Sequence, residues 1–175
     1  MTPQEIRWLA EAQAGSDLAY GRLVAANQAM VRGFLRRILG GNWADADDVA
    51  QDVFVHAWQG LHAVRDPARF HSWLIGMAWR RAQDHIRSHY RRARRDQDWL
   101  ESLSTPIGVS AEERMELEKA MGELKPDQRA CVALSLSEGW SHAEIAASLD
   151  IPLGTVKSHV TRGRERLLQV LGGQA

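Results

Sequence analysis

Apolar residues recur along this chain three and four positions apart, and almost nowhere at every second position. Leu23, Asn27, Met30, Val31, Phe34, Leu35 and Ile38 fall on one stripe of that spacing, which predicts an amphipathic helix. A helix before it, roughly 3–14, ends at Gly15, a good left-handed terminator. Ser16 and Asp17 then suit the N-cap of the striped helix, which runs to about Leu39 and stops at Gly40-Gly41-Asn42. A third helix opens around 44–47 with acids in its first turn, where the helix dipole favours them. It carries Val49, Val53, Phe54, Ala57 and Trp58 on one side. Residues 60–69, with Asp66-Pro67, form a loop. A fourth helix, about 70–92, has Phe70, Trp73, Leu74, Met77 and Ala78 as its apolar face and a very basic far end. Residues 97–109 hold Ser, Thr, Pro and Gly with little periodicity and are expected to be a linker. Helical spacing resumes around 111–124, breaks at Lys125-Pro126, continues to about Ser137 and breaks again at Gly139. The expected fold is all-α: two small helical domains, 1–95 and 112–175, joined by a flexible acidic linker, 96–111.

The last stretch has a recognisable shape. Ser141-His142-Ala143-Glu144 is a capping box, S-x-x-E, opening a short helix with Ile145, Ala146 and Leu149 inward and Ala146 and Ala147 as small buried residues. Residues 150–153 form a tight turn, with Pro152 tolerated at the first position of the next helix. That helix, from Gly154 to about Leu168, holds Val156, Val160 and Leu167 on one face. Lys157, Ser158, His159, Thr161, Arg162 and Arg164 lie elsewhere around it. Two short helices, a tight turn and a basic helix make a helix-turn-helix, whose second helix enters a DNA major groove. Lys157, Ser158 and His159 can donate to base edges, while Arg162, Arg164 and Arg166 meet phosphate or solvent. The plainer alternative is a helical hairpin with an ordinary charged face.

Charge sharpens that picture. The 175 residues carry 22 Lys/Arg and 22 Asp/Glu, a net charge of zero that hides strong segregation. Residues 1–95 hold 14 Lys/Arg against 9 Asp/Glu, net +5, and the remainder is net −5. Seven arginines between Arg80 and Arg95 face only Asp84; seven acids between Asp96 and Glu118 face only Arg114; Lys157 to Arg166 is net +3. Two basic segments separated by an acidic one suggest two contacts on a polyanion and a connector that makes none. Solvated helix faces are the plainer reading. Trp73 and Trp79 lie near Arg80, Arg81 and Arg87, a combination that can stack unpaired bases and neutralise phosphates; for Trp73 a place in the core is the favoured reading, and for Trp79 both readings stand.

Other chemistry is thin. Hydrophobic residues make up 45% and charged residues 25%, which excludes wholesale disorder. The single cysteine, Cys131, excludes an internal disulfide and sits on an apolar run where burial is expected. No secretory leader and no membrane-spanning run of ~18 apolar residues is recognisable, so a soluble cytoplasmic protein without membrane insertion is expected. His85 and His89 are four apart, a metal-sharing spacing, but no third ligand is positioned, and no Gly-rich phosphate loop exists. No metal, cofactor or enzymatic activity is expected.

Three blocks of sequence, in order, resemble the small alternative bacterial sigma factors of the extracytoplasmic-function (ECF) group. Asp45-Ala-Asp-Asp-Val-Ala-Gln-Asp-Val-Phe54 with Ala57-Trp58 resembles the polymerase-binding segment. Phe70-His-Ser-Trp-Leu-Ile-Gly-Met-Ala78 with Asp84 and Arg87 resembles the helix that melts the promoter and reads its −10 element. Leu124-Lys-Pro-Asp-Gln-Arg129, Glu138-Gly139, Ser141, Glu144-Ile-Ala146 and Gly154-Thr-Val-Lys-Ser158 with Arg162 and Arg164 resemble the −35-reading domain. The resemblance implies that Asp47, Asp48, Gln51, Asp52 and Phe54 dock on the clamp helices of core RNA polymerase. It implies that Arg69, Phe70, Trp73, Trp79, Arg80, Arg81, Gln83, Asp84 and Arg87 engage the melted −10 element. It implies that Thr155, Lys157, Ser158, His159, Arg162 and Arg164 read the −35 duplex. It further implies that the linker threads through the polymerase, that an anti-sigma factor controls the protein, and, with no long C-terminal extension, that no added regulatory domain follows. Arg80 stands where the family commonly has Asn, and His159 where it commonly has Arg, so promoter preference is expected to differ. The competing readings are a free-standing helix-turn-helix regulator, which leaves the first two blocks unexplained, a helical adaptor, which leaves both basic segments unexplained, and, more distantly, a hydrolase or metal enzyme.

Overall fold

Thr2 starts the first helix through a capping box: its hydroxyl accepts from the Glu5 N–H at 3.2 Å, and the Glu5 carboxylate accepts from the Thr2 N–H at 2.7 Å. Those donors hold the Glu5 carboxyl below the usual carboxylate range, the backbone N–H of Thr2 most of all. The computed structural model describes residues 1–40, 43–93, 117 and 120–172. Helix α1 spans Pro3–Gln13 and ends before Gly15, which takes φ 95° as its composition allows. Ser16 then caps α2 (Asp17–Ile38), accepting from the Ala19 N–H at 3.2 Å. Helix α3 spans Trp43–Gly60 and α4 spans Phe70–Ala93. The loop between them contains two short 3-10 turns, Leu61–Ala63 and Pro67–Arg69. Gln13 ties it to α1, its side-chain amide donating to the carbonyls of Leu61 (2.9 Å) and Val64 (2.8 Å).

The second half contributes α5 (Pro126–Val132), a π-helical continuation over Ala133–Ser137, α6 (His142–Leu149) and α7 (Leu153–Gly172). Every described regular element is helical. The expected linker, 96–111, and Arg94 and Arg95 lie outside the described residues. No helix among the described residues is long and apolar enough to cross a membrane.

The predicted stripe of α2 is the centre of the core: Leu23, Asn27, Val31, Phe34, Leu35 and Ile38 are buried, with Met30 partly so. Val49, Val53 and Ala57 of α3 and Phe70, Leu74 and Ala78 of α4 close on it. The buried arc of α4 is wider than the periodicity suggests, since Ile75, Trp79 and Ala82 are also sealed. Its reason is that α4 packs on α6 as well as on α2 and α3. One core therefore crosses between the halves and takes in Cys131, Leu134, Ile145, Leu149 and Val156. A smaller cluster, Ala120, Met121, Leu124, Val132, Ala133 and Leu167, is confined to the second half. Burial pushes the Cys131 thiol up to about 12, with Asp127 adding to the shift, so it is inert at neutral pH.

Arg129 stitches the halves. It is 9% exposed, and its guanidinium donates to the carbonyls of Ile38 (2.8 Å), Gly122 (2.9 Å) and Leu124 (3.0 Å). The first of these is an end carbonyl of α2 that has no partner within its own helix. An exposed ion pair, Arg37 to Glu138 at 3.4 Å, lies alongside.

Candidate nucleic-acid interface

The acidic face of α3 is built against arginines. Asp47 Oδ1 accepts from Arg36 Nη2 at 3.2 Å and lies 3.5 Å from Arg32 Nε, both on α2. The Arg36 guanidinium also stacks over Trp43, 3.6 Å from the ring centroid. Asp52 lies 3.4 Å from Arg81 Nε of α4 and 3.4 Å from His56 Nδ1. Asp48 and Gln51 are exposed between these two anchored carboxylates. Phe54 is half-buried, and its carbonyl accepts from the Tyr20 hydroxyl. Burial raises that phenol to about 12, so it stays protonated as a donor, packed 4.7 Å from the Trp58 ring. Arg32, Arg36 and Trp43 hold this face in place and are not among the residues that the motifs single out. The four-residue spacing of the two arginines on α2 is the signal that exposes them.

Along α4, the expected −10 residues separate by exposure. Asp66 caps the turn before the helix, accepting from the Ala68 N–H at 2.9 Å, and Arg69 stands exposed beside it, 3.6 Å away. Phe70 is buried and Trp73 half-buried, their rings 6.1 Å apart. Arg80 is exposed; Arg81 is turned to Asp52; Gln83 is half-buried. Asp84 and Arg87 are exposed and 3.9 Å apart. Trp79 is only 2% exposed. His85 pairs with Asp45 at 3.0 Å, an α4–α3 contact.

In the second half Ser141 and Glu144 form the predicted box: the Ser141 N–H donates to Glu144 Oε2 at 2.8 Å and the Ser141 hydroxyl accepts from the Glu144 N–H at 3.3 Å. The Glu144 carboxyl is lowered, mainly by the Ser141 hydroxyl and then by its backbone N–H. Ile145, Ser148 and Leu149 face inward, with Ala146 half-buried. The expectation that Ala147 is buried is corrected: it is exposed, because the i, i+3, i+4 face passes through Ser148 instead. Asp150 closes the turn in the left-handed region at φ 55°, and α7 starts at Leu153, so Pro152 sits just before the helix. Helix α7 runs one turn beyond its expected end. Lys157, Ser158, Arg162 and Arg164 are exposed on it, while Arg166 is drawn to Glu123 at 2.7 Å. Thr155 and His159 are half-buried and turn elsewhere. With Trp79, Arg80, Gln83, Asp127, Leu149, Asp150 and Ile151 they line a cleft of about 350 Å³ between α4 and the helix-turn-helix.

Comparison with known proteins matches this layout block for block. The family model for Sigma-70 region 2 covers residues 23–92, and that for Sigma-70 region 4 covers residues 114–167. The ECF RNA polymerase sigma-E factor of Escherichia coli K12 is 30% identical over 169 residues, spanning 89% of this chain and 87% of that protein. RNA polymerase sigma factor CarQ of Myxococcus xanthus is 33% identical over 162 residues, 90% of this chain and 92% of CarQ. Among solved structures, CnrH in complex with the cytosolic domain of CnrY superimposes with a TM-score of 0.74 at 28% identity, covering 98% of this chain and 99% of CnrH. The sigma factor RpoE of Bartonella quintana, in complex with the anti-sigma factor NepR, shares the fold with a TM-score of 0.78 at 22% identity, over 89% of this chain and 98% of that one. A capped helix-turn-helix with an exposed basic helix, an acidic α3 and a basic α4, each falling within the matched region, identify the chain as a member of the ECF group of sigma factors, the subunits that direct bacterial RNA polymerase to promoters.

Proposed function

We propose that this sigma factor divides its work between its halves: residues 1–95 bind core RNA polymerase and hold the melted −10 strand, residues 112–175 read the −35 duplex, and residues 96–111 connect them. Exposed Lys157, Ser158, Arg162 and Arg164, on a helix fixed by the Ser141 capping box and the Asp150 turn, carry the reading. Such a helix presents its N-terminal donors to base edges and its later arginines to phosphate. On α3, Asp48 and Gln51 offer the exposed part of the polymerase-docking face, with Asp47, Asp52 and Phe54 set around them. Arg69 in the turn before α4, with Arg80 and Arg87 on α4, forms the basic track for the displaced strand, which Trp73, Trp79 and Gln83 complete when accessible. Polymerisation belongs to the core enzyme, so the chain has no catalytic activity of its own and works in the cytoplasm. The two solved relatives were captured with CnrY and with the anti-sigma factor NepR. An anti-sigma partner fits this chain equally, as a polypeptide covering the same surfaces.

The test is run-off transcription with bacterial core polymerase over a pool of genomic promoter fragments, with and without the protein. Discrete transcripts that depend on the chain are expected, and their start sites define both promoter elements. Absence of both transcripts and co-elution with core would overturn the assignment of the first half and favour a free-standing regulator.

A further inference from the structure

The leading end of α7 differs from the rest of that helix. Residues 151–156 hold no charge, and the basic positions begin at Lys157. Pro152, Leu153 and Gly154 are all exposed, and Leu153 is 43% exposed. A phosphate track carries arginine or lysine, as this helix does from Lys157 onward. Leu153 stands outside the packed face of α7, which runs through Val156, Val160, Gly163 and Leu167, and outside the cleft that takes Thr155 and His159. It shares a side of the helix with exposed Lys157 and Arg164, four and eleven positions on. Gly154 follows it. A glycine inside a helix is less stable than an alanine. At Gly163 the fold supplies the reason, because an added Cβ would overlap the Val132 side chain. At Gly154 it supplies none: an added Cβ meets nothing within 4 Å, in ordinary helical backbone. Nothing within the chain requires the bare turn, whereas a ligand that closes on the backbone does.

We infer that Leu153 and Gly154 form an apolar reader at the tip of α7: Leu153 touches the C5-methyl group of a thymine in the −35 duplex, while Gly154 lets the helix backbone close on the base edges. The inference rests on the proposed role of α7 in reading that duplex. Recognition helices meet base edges with their N-terminal residues, which is where both positions stand. The apolar group that the major groove offers there is the thymine methyl, and no other base carries it. The work along α7 then divides by chemistry. Leu153 selects thymine by contact, Lys157 and Ser158 donate to neighbouring bases, and Arg162 and Arg164 meet phosphate. Leu153 makes no hydrogen bond, so its whole contribution lies in one methyl-sized contact, worth about fourfold in affinity.

Run-off mapping fixes the −35 element, and each of its thymines is then replaced singly by uracil. Uracil lacks the methyl group and keeps every hydrogen-bonding group. The affinity of the holoenzyme, this chain with bacterial core polymerase, is measured for each duplex by competition. At one thymine, uracil should weaken the unmodified holoenzyme about fourfold. Leu153→Ala should bind the thymine duplex at that weaker level and no longer distinguish the two bases there. Gly154→Ala should lower promoter affinity while thermal unfolding of the free chain stays level or moves up, since alanine favours the helix and meets nothing. Gly21→Ala, an equally open site on α2, should share the thermal effect and leave affinity unchanged. A −35 element without thymine, uracil tolerated at every position, or a uracil effect that survives Leu153→Ala overturns the methyl contact. Gly154→Ala binding as tightly as the unmodified chain overturns the close approach. Lys157→Ala with Arg162→Ala tests the underlying assignment separately. If that pair leaves affinity unchanged, α7 does not read the duplex and the inference falls with it; if the pair weakens binding but uracil has no effect, only the roles of Leu153 and Gly154 fall.

Discussion

Arg129→Met tests how much of the fold depends on one buried guanidinium. Methionine keeps the length and the apolar stem but withdraws every donor. Three carbonyls lose their partner, at 2.8, 2.9 and 3.0 Å. The bonds to Ile38 and Leu124 are buried, whereas the one to Gly122 is partly exposed and water can replace it. Two orphaned buried acceptors at about 1–3 kcal/mol each set a range of about 2–6 kcal/mol. Removing a charge that had been stripped of water offsets part of that cost. The expected net loss is about 3 kcal/mol, which for a chain of this size lowers Tm by about 6–12 °C. Urea unfolding should show the loss as a lower midpoint at an unchanged slope. Arg129→Lys keeps the charge but not the fork, so one ammonium cannot serve carbonyls on α2 and in the second half together. It should recover a minority of the loss. A methionine variant within about 0.5 kcal/mol of the unmodified protein would refute the argument, and so would a lysine variant equal to arginine.

Other perturbations separate the proposed surfaces. Asp48→Ala with Gln51→Ala should weaken co-elution with core polymerase and spare promoter recognition, and Lys157→Ala with Arg162→Ala should do the reverse; equal effects of both pairs in both assays would remove the division of labour. Promoter complexes should weaken steeply with salt, and Arg162→Ala should flatten the logarithmic salt slope by about 1, the signature of one lost phosphate contact. Ser141→Ala removes the α6 cap and should cost about 1 kcal/mol, measured by thermal unfolding. Burial lowers the pKa of His71, aided by the N-terminal ammonium and opposed by Glu5 at 3.9 Å, so the fold disfavours its protonation. Its unfolded form titrates near 6.5, so stability is full above that pH and falls as pH drops through it, because the unfolded chain takes up the proton first. His71→Gln should flatten that segment of a stability–pH curve.

The elements were legible in the sequence because each carries its own punctuation. The stripe from Leu23 to Ile38, the Ser16 and Ser141 caps and the breaks at Gly15 and Gly139 depend only on neighbours a few residues away, and local rules find them. The relation between the halves depends on residues far apart. Ile75, Trp79 and Ala82 read as a helix with extra apolar surface, and nothing near them states that α6 is what covers it. Gly76 is legible as a weak helix residue but not as a seat, since its partner is a carbonyl 72 positions onward, at Ser148. Arg129 likewise resembles a surface base until Ile38, Gly122 and Leu124 surround it. At the acidic face the carboxylates were visible by type and spacing, while the arginines that hold them came from α2 and α4.

That last arrangement bears on how the two faces of the first half communicate. Arg81 belongs to the helix proposed to hold the −10 strand, and it spends the free state 3.4 Å from Asp52, on the helix proposed to dock on polymerase. Arg81 is partly exposed, at 34%, and Asp52 is exposed, at 49%. An exposed pair of this kind contributes about 0–1 kcal/mol, so it is no strut for the α3–α4 packing, which Val53, Ala57, Leu74 and Ala78 already secure. A weak pair is what an exchange requires. If the proposed roles hold, a polymerase donor that took Asp52 would free Arg81 at little cost, and a phosphate that took Arg81 would free Asp52 in the same way. Because the same ion pair opposes both events, each makes the other easier, and the coupling is reciprocal whichever partner arrives first. Asp47 differs: two arginines of α2 hold it, with Arg36 further fixed over Trp43, so on the proposed docking face it would be the rigid edge and Asp52 the adjustable one.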